Sequence, residues 1–96
     1  MEYNEKLKIY EEIQHQLLVE ECKDQIHEFF IISSNYAGEV SDKVVELFDL
    51  EELVDNYQKY HDSDIADNAQ WQVLIQDAAE NIPIEDLEKV GIVVLG

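Results

Sequence analysis

The sequence predicts a mainly α fold, a small single-domain helical bundle spanning residues 1–96. Apolar residues recur at steps of three and four along most of the chain. Only three glycines and one proline interrupt that pattern. Two short apolar runs, 29–32 and 92–95, also suit strands. An all-α bundle and a helical domain with a minor two-stranded β element (29–32 beside 92–95) therefore both stay open.

Asn4 can cap a first helix that carries Leu7, Tyr10, Ile13 and Leu17 on one face. From Leu18 the apolar set becomes Leu18, Cys22, Ile26 and Phe29, a face rotated by roughly 120°. One helix to about residue 28, touching different neighbours along its length, accounts for both faces. Residues 33–40, with Gly38, read as a loop. Ser41 caps a short helix over 42–48, and Asp49 with Glu52 resembles a capping box ahead of a second at 50–60. At 100° per residue Leu50, Leu53, Val54 and Tyr57 form one stripe, with Glu51, Asp55 and Asp62 roughly opposite.

Residues 61–64 end it and cap the next, which runs to about residue 80 with Trp71, Leu74, Ile75, Ala78 and Ile82 on one side. Pro83 bounds it and opens a short helix, 83–90, that stops at Gly91. The expected core is Leu17, Ile26, Phe29, Val44, Phe48, Leu53, Tyr57, Trp71, Leu74, Ile75 and Leu87.

Charge narrows the function. Twenty-three acidic residues face six lysines, and the net charge is −17. Self-repulsion at that charge opposes compactness, and it disfavours nucleic acid or an anionic membrane as a direct partner. A basic protein partner is favoured. The lone Cys22 cannot form an internal disulfide and fits a reducing cytoplasm. Neither a signal peptide nor a membrane span is expected. The oligomeric state is left open.

No motif for chemistry survives. Glu12…His15 and Asp24…His27 have the carboxylate-x-x-His spacing of di-metal bundles. Both lie on one predicted helix, about 18 Å apart along its axis, and cannot share a metal. Residues 62–67 open like a calcium loop, but Asp67 and Val73 stand where glycine and glutamate are required. Cys22 lies on an apolar stripe, as an inert thiol does. No Gly-rich phosphate loop, GxSxG or CxxC is present. No catalytic residue, metal or cofactor is expected.

Trp71-Gln72-Val73-Leu74-Ile75-Gln76-Asp77 is similar to a segment of the phage uracil-DNA glycosylase inhibitor family, where it forms a strand. The likeness covers seven residues and transfers no site residue, and the context 68–81 here predicts a helix.

The acids themselves are the remaining candidates. Residues 49–96 carry twelve acids and two lysines, the more one-sided half. Glu51, Glu52, Asp55, Asp62, Asp64 and Asp67 are the expected partner-binding residues. Acids four apart on a helix rise by about 6 Å, on the scale of successive backbone phosphates. Two classes fit: a DNA-mimicking inhibitor of a basic nucleic-acid enzyme (anti-restriction or anti-CRISPR type), and an immunity or antitoxin protein that blocks a cationic nuclease. A plain solubilising surface is the third reading.

Overall fold

Burial decides which apolar stripes become contacts, and the first helix shows both outcomes. The computed structural model describes residues 3–60 and 67–95. Helix α1 runs unbroken over Tyr3–Ile32. It is followed by strand β1 (Tyr36–Gly38), a 3-10 helix η1 (Asp42–Leu47), and helix α2 (Leu50–Tyr60). Helices α3 (Asp67–Ala79) and α4 (Ile84–Lys89) and strand β2 (Ile92–Val94) complete the order. The fold is mainly α with one small antiparallel pair.

That pair differs from the one expected. Residues 29–32 are the last turn of α1, and β2 instead pairs with β1, in the register Tyr36↔Val94, Ala37↔Val93, Gly38↔Ile92. The reason is packing. Phe29 and Phe30 point into the core as helical neighbours, with an edge-to-face contact at 5.1 Å. The ring of Tyr36 lies 5.1 Å from Phe30 and 5.7 Å from Phe29, and Phe48 closes the cluster at 6.1 Å from Phe30. The loop expected over 33–40 thus contains the strand. Gly38 and Gly91 both have positive φ, 106° and 89°. A Cβ on Gly38 would stand 2.3 Å from the carbonyl oxygen of Gly91, so this crossing of two backbones admits no side chain.

Capping follows the sequence closely. The Ser41 hydroxyl accepts a hydrogen bond from the Lys43 N–H at 3.2 Å. An Asp49 carboxylate oxygen accepts one from the Glu52 N–H, also at 3.2 Å. Each satisfies an amide that the first helical turn leaves unpaired. Helix α1 already includes Tyr3 and Asn4, so Asn4 lies inside it. The expected cap at residues 63–64 is outside the described residues.

The core gathers Trp71, Ile26, Ile75, Leu87, Ile92, Val44, Val54 and Cys22, all fully buried. Tyr57 of α2 stacks on Trp71 of α3 at 4.1 Å and 3°. Burying such side chains is worth about 1.5–3 kcal/mol each. Gln72 of α3 donates to both the side-chain oxygen (2.9 Å) and the backbone carbonyl (3.1 Å) of Gln25 on α1, which fixes the register of the two helices.

One expected core residue is not there. Leu17 is 62% exposed. Every residue from 4 to 17 is exposed except half-buried His15, and burial in α1 begins at Leu18 and Val19. The molecule measures 55 × 30 × 18 Å because this segment extends past the packed body. Leu74 is half-buried, and the rest of the expected core is buried.

Candidate functional site

The site is built on α2, whose Leu53, Val54 and Tyr57 are buried while Glu51, Glu52 and Asp55 face outward. The predicted separation of apolar stripe and acids therefore holds along this helix. Glu51 meets His15 of α1, with Oε2 2.8 Å from Nε2. Its side chain is still 69% exposed, so the pair is a solvated one and worth little. Glu52 and Asp55 have no cationic partner among the described residues. Lys59 borders a shallow depression that these three acids line, its ammonium 5.3 Å from the centre of the Tyr60 ring.

Of the other expected contact acids, Asp62 and Asp64 lie outside the described residues. Asp67 opens α3, seven positions after Tyr60 in sequence, and its side chain is likewise outside them. The structure thus brings together three of the six.

It adds two acids that the sequence did not single out. A groove of about 380 Å³ runs between α2 and α3. Its floor is apolar, formed by Leu53, Leu74, Ala78 and Ile82 with Leu47 and Phe48 at one end. Asp49, just ahead of α2, and Glu52 line the groove on one side and Asp77 of α3 on the other, together with Asn56 and Asn81. The Asn81 amide donates to the Asp77 carbonyl at 3.1 Å, which holds that rim in place. Asp49 is legible as a helix cap, and Asp77 is far from it in sequence. Only packing puts them on one groove.

An apolar floor with a carboxylate rim is matched to a long cationic side chain. The aliphatic stem of arginine or lysine can lie on the floor while its head group meets the rim. Glu52 belongs to both the groove and the outer acidic face, which joins the two into one surface.

The two described histidines, His15 and His27, both have neighbours on other residues. His27 Nδ1 is 3.0 Å from the Lys23 carbonyl oxygen, and its Nε2 lies 3.3 Å from Asp42 Oδ1 but off the line of a hydrogen bond. His15 and His27 thus each lie beside an acid at the start of a neighbouring element, α2 and η1. Among the described residues no group of three or more histidine, cysteine or acidic side chains could hold a metal ion. Cys22 is fully buried, and burial, with the charge of Glu21 adding, pushes its thiol up to about 12 from an ordinary 9.0. A thiol so placed is a poor nucleophile. No helix among the described residues is long and apolar enough to cross a membrane.

No protein family, curated protein or solved structure matches the chain.

Proposed function

We propose that the protein is a non-enzymatic acidic inhibitor of a basic nucleic-acid-binding protein, occupying the surface where that protein receives phosphates. The observation that carries this reading is the joined surface on α2 and α3. Glu52 and Asp77 line a groove with an apolar floor and Asp55 lies on the adjoining face of α2, all three exposed and without a cationic partner among the described residues. Opposite charge speeds encounter, and a side chain seated in the groove supplies the anchor that charge alone lacks. An anti-restriction or anti-CRISPR type of DNA mimic uses such a surface in place of a strand.

The groove favours a second reading as well. An immunity or antitoxin protein that blocks one small cationic nuclease relies more on a single anchor than on an extended row of charge.

Capture of partners from host lysate, with and without competitor DNA, tests both. A nucleic-acid enzyme that competitor DNA displaces supports the mimic, and a small basic nuclease supports immunity. In either complex, Glu51→Gln, Glu52→Gln and Asp55→Asn together should weaken binding by about 10- to 100-fold, and raising salt should weaken it steeply. Affinity indifferent to both the triple substitution and salt would remove α2 from the interface. Neutralising Asp62, Asp64 and Asp67 separately reports whether the contact acids extend beyond it.

A further inference from the structure

The first half of α1 carries an apolar surface that the other described residues leave exposed. Leu7, Tyr10, Ile13 and Leu17 are 42–62% exposed. On a helix they share one arc of about 120°, turned roughly 150° from the face that α1 buries in the core. Glu5, Lys8, Glu11 and Glu12 stand outside that arc, and Lys6 is the one charge within it.

We propose that this stripe pairs two copies of the chain as an antiparallel helix pair, with the two-fold axis beside Tyr10. Leu7 and Ile13 are placed symmetrically about that residue. In an isologous antiparallel contact, position 10 + k meets position 10 − k of the partner. Leu7 then meets Ile13, Tyr10 meets Tyr10, and Lys6 meets Gln14, so no like charges oppose each other. A parallel pair would set Lys6 against Lys6.

Charge points the same way. Residues 1–19 hold four acids and two lysines, a net −2, whereas residues 20–96 hold nineteen acids and four lysines, a net −15. An antiparallel pair keeps the two acidic bodies at opposite ends. Residues 4–17 separate them by roughly 20 Å of helix, more than twice the screening length of about 8 Å in physiological salt. A basic target is the poorer occupant, because the stripe offers it no carboxylate. Pressing two stripes together removes on the order of 1,000 Å² from water, near the lower limit for specific association, so the pair dissociates on dilution.

Sedimentation equilibrium of the full chain over a concentration series is the test. The mass should rise from 11.2 kDa toward twice that value. Leu17→Glu and Tyr10→Glu should each raise the dissociation constant by about tenfold or more. Neither should move the urea midpoint of the dilute chain, since both side chains are outside the core. In a Cys22→Ala background under mild oxidation, Tyr10→Cys should give a disulfide-linked dimer and Leu17→Cys should not. A chain that stays monomeric, or a dimer indifferent to both glutamates, overturns the proposal. Equal cross-linking through positions 10 and 17 overturns the antiparallel register. A monomer whose Leu17→Glu variant loses a basic target assigns the stripe to that target instead.

Discussion

The two halves of α1 share one unbroken backbone and differ in what covers them. The second half buries Val19, Cys22, Ile26, Phe29 and Phe30, and the first half, residues 4–17, buries nothing. Both are amphipathic, and their apolar faces point almost opposite ways. An amphipathic stripe says that a face is to be covered; it does not say that the cover comes from the same chain.

The contrast breaks most directly by mutation. Ile26→Ala should cost about 2–5 kcal/mol in urea unfolding, as a fully buried side chain does. Leu17→Ala, measured on the dilute chain, should cost under about 0.5 kcal/mol. Similar losses at the two positions would mean that the first half is covered within one chain.

Amide exchange sharpens the comparison without mutation. A helical segment of about fourteen residues with no tertiary cover is marginal in water. Amides of residues 8–17 should exchange through local opening worth about 1 kcal/mol or less, and those of 22–30 only on global unfolding. Rising protection of 8–17 with protein concentration would tie the first half to self-association.

Cys22 gives a chemical version of the same test. Its folded pKa, about 12, lies above the ordinary 9.0 that the unfolded chain regains. The unfolded state therefore loses its proton first as pH rises. Stability from this group is unaffected below about pH 9 and falls between roughly 9 and 12. Alkylation at pH 8 should be far slower in the folded chain than in urea, whereas a cysteine placed at Leu17 should react at nearly the same rate in both. Fast alkylation of native Cys22 would contradict its burial.

The smallest effect is expected at the boundary between the halves. Glu51→Gln breaks the exposed pair with His15 and should change stability by under about 0.5 kcal/mol. A larger loss would show that this contact, rather than the core, positions α2 on α1.

Much of the fold was legible in the sequence because local chemistry specifies it. Ser41 and Asp49 are helix caps in fact as in pattern. Gly91 stops α4 in the left-handed conformation expected of it. The rotation of the apolar face along α1 was also visible. What covers each face was not, which is why Leu17 was expected in the core.

The strand error has a related cause. Phe29-Phe30-Ile31-Ile32 has no period to distinguish a buried helix end from a strand, and the three residues of β1 are too few to alternate. The acidic face of α2 was readable from a helical wheel. The groove was not, because Asp49, Glu52 and Asp77 come from two helices and meet only through packing.

The β1–β2 pair has a consequence in time. It is three residues long on each side, yet it joins positions more than fifty residues apart. At about 5–20 residues per second on a ribosome, β2 follows β1 by roughly 3–10 s, whereas helices form within about a microsecond. Helices α1 and α2 can therefore form before β2 is made, and until β2 joins β1 the slot for Ile92, 1% exposed in the finished fold, is unfilled. Strand β1 thus waits seconds for its partner strand. Like net charge opposes contact between such incomplete copies, and the pairing of β2 with β1 beside the two glycines closes the core.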